Sequence, residues 1–152
     1  MHDIATEDTE ITELSNMDNK IKHIDVSDLI GKPYKAGGRG PANYDCWGIC
    51  MAAAARAGIA LPDIDVPGTD EQKTILIAGQ RQSNFRKLDA AQPYSIALFR
   101  IFDDDGRIKW HVGFVLENAR NFIHTTGKMG ANISSLTDPV WRLFLEGFYE
   151  PA

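Results

Sequence analysis

The rhythm of hydrophobic and polar positions changes along the chain, from helix-like in its first half to strand-like in its second. Residues 1–20 have no sustained apolar period and run through Glu7, Asp8, Glu10 and Glu13, so a flexible or loosely docked arm is expected up to residue 22. Ser27 is placed to cap a short helix through Leu29 and Ile30 that stops at Gly31, ahead of Pro33. Residues 36–41, Ala-Gly-Gly-Arg-Gly-Pro, read as a loop. Asp45 is a natural N-cap for a helix from Cys46 to about Ala57; it carries five alanines between Ala52 and Ala57, and Gly58 stands where a C′ residue belongs. After a loop at 63–68, Thr69 and Gln72 form a capping-box pair that opens a second helix to about Ala78.

From Tyr94 onward strands take over. Residues 96–102 are mostly apolar and end at Asp103-Asp104-Asp105-Gly106, a hairpin signal. Across 108–116 the alternation is clean: Ile108, Trp110, Val112, Phe114 and Leu116 face one way, Lys109, His111, Gly113 and Val115 the other. A turn near Glu117-Asn118 leads into 120–126, with Phe122, His124 and Thr126 on one face. Runs at 131–136 and 141–149 complete the expected sheet, the second also compatible with a helix. Helices first and an antiparallel meander afterwards predict an α+β fold, N-terminal helices packed on a C-terminal antiparallel sheet, with residues 23–152 forming one domain.

Composition narrows the partners. With 152 residues, 43% of them hydrophobic and 24% charged, the chain is long enough for one real core. A formal net charge of -5 leaves no basic footprint for nucleic acid, and the longest apolar runs, such as 49–55, are too short to enter a membrane as a span. The acidic start lacks the basic and apolar regions of a secretory signal, so synthesis in the cytoplasm is expected. Two cysteines spaced C-x-x-x-C suit neither a structural bridge in a reducing compartment nor a C-x-x-C redox site.

Cys46 falls in the first turn of its helix, where unsatisfied N–H groups and the helix dipole favour a thiolate. Taken alone, it is more simply a small buried core residue. His111 and His124 alter that balance, because a turn at Glu117-Asn118 sets them opposite each other on one sheet face. One then serves as base for Cys46 and the other orients it, the division of labour in a catalytic triad. A Cys2His2 metal site is the competing arrangement, but the histidine spacing exceeds that of zinc fingers, so neither metal nor organic cofactor is expected. Cys50, one helical turn after Cys46, reads as core. The Asp103–Gly106 run lacks calcium-loop ligand spacing, and the Gly37–Gly40 loop lacks a Gly-Lys-Ser/Thr ending for phosphates.

Several motifs in register carry a resemblance. Gly31-Lys32-Pro33-Tyr34, Gly37-Gly38, Tyr44-Asp45-Cys46-Trp47-Gly48-Ile49, Gly58-Ile59 and Leu61-Pro62 precede His111-Val112-Gly113-Phe114-Val115 and Phe122-Ile123-His124. Together they resemble the NlpC/P60 cell-wall peptidases. The resemblance implies a papain-like core and hydrolysis of amide bonds in peptidoglycan stem peptides, typically between γ-D-glutamate and a diamino acid. It makes Cys46 the nucleophile, His111 the base and His124 the orienting residue. Tyr34 would line the site, Asp45 would bind the substrate amine, and Trp47 would stand in the substrate region where the family usually has Ser. The Asp-Cys-Trp-Gly form, the glycine loop and the ending Glu146-Gly147-Phe148-Tyr149-Glu150-Pro151 look more like a phage-tail-associated branch, whose members would travel with a virion, alongside tail proteins, or be released by lysis to reach the wall. A non-catalytic tail or wall-binding module, a protein deamidase and an acyltransferase are the alternatives on the same fold.

Overall fold

The computed structural model describes residues 23–63, 85–102 and 104–152. The acidic arm and the helix expected at 69–78 lie outside these residues. The described chain opens with a 3-10 turn, Ser27–Leu29, continues into helix α1, Cys46–Arg56, and then enters the sheet. Its strands are β1, Phe85–Leu88; β2, Ile96–Phe102; β3, Ile108–Val115; β4, Asn121–Thr126; and β5, Gly130–Ser135. A short helix α2, Pro139–Phe144, leads directly into β6, Leu145–Pro151.

All six strands form one sheet in the order β1-β6-β2-β3-β4-β5, and every pairing is antiparallel. The expected meander is therefore present from β2 to β5. Two features differ from the sequence reading. Phe85–Leu88 is an additional strand at the edge of the sheet, paired among the described residues with β6 alone. Residues 141–149 are divided between α2 and β6: Asp138 accepts from Val140 N–H at 2.9 Å and Pro139 occupies the first helical turn, which starts a helix.

Local chemistry accounts for α1. Asp45 caps it, its Oδ1 accepting from Gly48 N–H at 2.7 Å. At the other end Gly58, at φ 76°, donates to Ala55 O and Ile59 donates to Ala54 O, the paired bonds of a Schellman stop. The first short turn is capped otherwise than expected. Ser27 lies inside it, and the Asp25 carboxylate accepts from Ser27 N–H at 2.9 Å.

The sheet buries both faces. On one, α1 packs over β3 and β4, and Trp47, Ile49, Cys50, Ala53 and Ala54 meet Ile96, Leu98, Val112, Phe114 and Ile123. On the other, Ala97, Phe99, Val115, Phe122 and Phe148 form a smaller cluster backed by Trp141 and Phe144 of α2. Side-chain parity along β3 and β4 puts His111 and His124 on this second face, with Val115 and Phe122. Cys46 comes from the first.

Candidate functional site

A break in sheet pairing brings these residues together. β3 and β4 pair only at Phe114↔Ile123 and Val115↔Phe122. Where that pairing stops, the start of α1 reaches both strands: Cys46 Sγ lies 3.2 Å from His111 Nδ1 and 3.7 Å from the carbonyl oxygen of Thr125. The imidazole is thus the nearer acceptor for the thiol proton. Cys46, His111 and His124 are all almost fully buried.

The histidines meet, although not by the register expected. The observed pairs centre the turn on Asn118-Ala119, one residue beyond Glu117-Asn118, which shifts each residue's partner by two, so His111 and His124 are diagonal neighbours instead of directly opposed. An even shift leaves each on its expected face. His111 Nε2 and His124 Nδ1 are 2.7 Å apart. Gly113 makes room for this arrangement, since a Cβ there would sit 2.5 Å from the Phe122 ring, which in turn stands 4.6 Å from His124.

The hydrogen-bonded chain continues through residues that sequence reading missed. His124 Nε2 lies 2.8 Å from Ser134 Oγ, Ser134 lies 3.3 Å from Asn132 Oδ1, and Asn132 Nδ2 donates to the Gly130 carbonyl at 2.8 Å. Aromatic rings close the flank: Trp141 lies near-parallel to His111 at 5.7 Å and edge-on to His124 at 4.8 Å. Burial, with His124 and Lys109 adding to it, pushes His111 well below the ordinary histidine value. Burial likewise lowers His124 to about 4, outweighing the Asn132 hydrogen bond that acts to raise it. Both imidazoles are uncharged near neutrality.

Around the helix start the other expected residues separate. Asp45 is buried, and its Oδ1 accepts from Gly48 N–H and, at 2.6 Å, from Arg39 Nη1, while Arg39 Nε reaches Asp63 at 2.8 Å. Asp45 Oδ2 is buried without a hydrogen-bond partner. The glycine loop presses on this turn: Asp45 N–H donates to Gly38 O, and a Cβ on Gly48 would overlap that same carbonyl oxygen. Tyr34, half-buried, holds the loop through a bridge to Tyr44, and Lys109 of β3 lies 5.9 Å over its ring. Trp47 points elsewhere. It is fully buried beside Phe85, and its indole N–H donates to Pro62 O at 2.8 Å, so its place is in the core and not on a substrate-facing surface. Cys50 is buried too, and burial raises its thiol well above the usual range. Among the described residues no three His, Cys, Asp or Glu side chains converge to hold a metal, and no helix is long and apolar enough to cross a membrane.

A thiol, an imidazole pair and a polar chain behind them appear here at the N-terminus of a helix packed on an antiparallel sheet. A model of the NlpC/P60 family matches residues 31–149, which take in every one of these groups. The chain belongs to the NlpC/P60 family. No curated protein matches it. Solved NlpC/P60 structures share its fold. One, from Staphylococcus aureus and described as similar to a lipoprotein, is 23% identical at a TM-score of 0.52, and covers 88% of this chain. A family protein from Bacillus cereus is 20% identical at 0.52 over 84% of the chain, and NlpC1 from Trichomonas vaginalis 20% identical at 0.53 over 86%. The chain spans only 39%, 40% and 48% of those three chains, respectively.

Proposed function

We propose that this NlpC/P60 domain is a cysteine hydrolase that cleaves amide bonds in peptidoglycan stem peptides, with the bond between γ-D-glutamate and a diamino acid as its target. Members of the family are generally cysteine peptidases or amidases, typically acting on peptidoglycan. The observation that carries the reading is the Cys46 Sγ to His111 Nδ1 distance of 3.2 Å, with His124 in turn against His111. In the reaction, the Cys46 proton passes to His111 Nδ1 as Sγ adds to the amide carbonyl. Backbone N–H groups in the first turn of α1 stabilise the oxyanion, with Tyr34 at the edge of the site. The His111 imidazolium then protonates the leaving amine, and water activated by the same ring clears the acyl-enzyme. Asp45 Oδ2, which has no hydrogen-bond partner, is the anchor for a substrate amine. Residues 23–152 constitute the catalytic domain in this reading. The Asp45-Cys46-Trp47-Gly48 form favours a phage-associated origin, with delivery in a virion or by lysis.

Digestion of purified peptidoglycan and soluble stem peptides, read by mass spectrometry, tests the proposal. Wild type should release fragments whose masses name the bond; Cys46→Ala should release none and keep its stability. His124→Ala should retain measurable turnover, since orienting groups cost less than nucleophiles. Equal, complete loss from both substitutions would contradict the assigned roles. The near-complete burial of Cys46 favours one second reading, a binding module in which the thiol is only packed. That reading requires Cys46 to resist iodoacetamide near neutral pH, whereas the hydrolase requires it to react.

A further inference from the structure

We infer that Asn132 and Ser134 of β5 are positioning residues, which fix the tautomer of His124 and through it present the unprotonated Nδ1 of His111 to Cys46. The inference rests on the hydrolase reading for its purpose and on hydrogen-bond polarity for its content. The polarity starts at a backbone carbonyl. Gly130 O can only accept, so the Asn132 atom 2.8 Å from it is the amide nitrogen, and Asn132 Oδ1 is turned toward Ser134. An amide oxygen also only accepts. Ser134 therefore gives its hydroxyl proton to Asn132 Oδ1 and offers a lone pair to His124 Nε2, 2.8 Å away.

From there each ring leaves one choice. His124 Nε2 carries the proton, which leaves Nδ1 as an acceptor toward His111 Nε2 at 2.7 Å. His111 must then hold its own proton on Nε2, so the free lone pair is on Nδ1, the atom facing Cys46 Sγ. Reversing any one link would set two donors or two acceptors face to face and leave a polar group without its partner, in a chain buried at the histidines and half-buried at Ser134 and Asn132. When Nδ1 takes the thiol proton, His111 becomes an imidazolium that still donates from Nε2 to His124, and no proton has to leave His124. The depressed titration of both rings keeps this chain neutral at rest.

The anchor is itself well held. Ala131 N–H donates to Lys32 O at 2.9 Å and Gly31 N–H donates to Ala131 O at 2.8 Å, so the start of β5 is stitched to the segment before Tyr34. Gly130, at φ 68°, allows the backbone to turn there, and a Cβ would lie 2.5 Å from Lys32 O. The direction of the relay is thus set by main chain on the far side of the histidines from the thiol.

Imidazole 15N shifts of histidine-labelled protein at neutral pH test this directly, with His111→Gln and His124→Gln used to assign the rings. Wild type should show His124 with a pyridine-like Nδ1 and a pyrrole-like Nε2, and His111 the same. Ser134→Ala should move both His124 nitrogens toward the average of two tautomers, and Ser134→Thr should restore them. Where stem peptides are cleaved, Ser134→Ala should lower kcat about fivefold with KM unmoved. A pyrrole-like Nδ1 on wild-type His124 would overturn the inference, as would Ser134→Ala shifts identical to wild type. If Ser134→Ala fails to fold, the wild-type spectrum and Asn132→Ala decide on the same criteria. Predicted tautomers in a protein that cleaves no stem peptide would leave the relay standing and remove the proposed substrate.

Discussion

Acid should weaken this fold earlier than its carboxylates alone would require, because an uncharged imidazole pair is buried within it. His124 moves from an ordinary 6.5 to about 4 on folding. As pH falls, the unfolded chain binds this proton first, so stability is complete above about 6.5 and declines as pH approaches 4. At about 1.4 kcal/mol per pH unit the loss comes to about 3 kcal/mol, a large share of the 5–15 kcal/mol typical of a domain. His111 shifts in the same direction and adds to the slope. Urea unfolding of wild type and His124→Gln across pH 7 to 4 isolates the effect, since the carboxylates are common to both. Wild type should lose about 3 kcal/mol more than the variant over that range. Parallel decline of the two curves would refute the reasoning and mean that His124 ionises without opening the fold.

Three further outcomes follow from packing. Gly48→Ala should destabilise by about 1–3 kcal/mol, because its methyl group meets the Gly38 carbonyl oxygen, and thermal denaturation reads this as a lowered Tm. Trp47→Ser should cost about 3–5 kcal/mol in urea, since it empties a fully buried site beside Phe85; a stable variant with altered KM would return Trp47 to the substrate region. Cys50→Ser should lose about 1–3 kcal/mol by burying a hydroxyl among alanines and aliphatics, with Cys50→Val as the better-tolerated control in the same assay.

Legibility followed the range over which each signal acts. Asp45, the alanine run and Gly58 act within one helix, and α1 appears within a residue of its expected bounds. Strand signals are just as local, an apolar run before a turn for β2, period-two alternation for β3 and β4 and a short run for β5, so β2 to β5 were readable. Phe85–Leu88 was not: four residues with two exposed charges have no pattern of their own and become a strand only against β6. The split at Leu145 was signalled by Asp138-Pro139, whose capping chemistry outweighs the strand-like run beyond it. Cys46, His111 and His124 were visible as residue types on expected elements. Their contact depends on a pairing that stops at Phe114↔Ile123, and the register of β4 against β5, which aligns Asn132 with His124, is a tertiary fact no spacing encodes.

The position of β6 has a consequence for how the molecule assembles. β2 to β5 follow one another in the sheet as they do in the chain, so this half can form from neighbouring hairpins. β1 and β2 are different, since the latest of the six strands must slot between them. Formation of the β1 edge therefore waits on a contact of long sequence separation, the kind that slows folding. The histidines, Ser134 and Asn132 all belong to the early, local half. Loss of β6 would strip two strands from the sheet while leaving the hairpins that bear the polar relay connected, which makes the two halves separable stages in the maturation of the site.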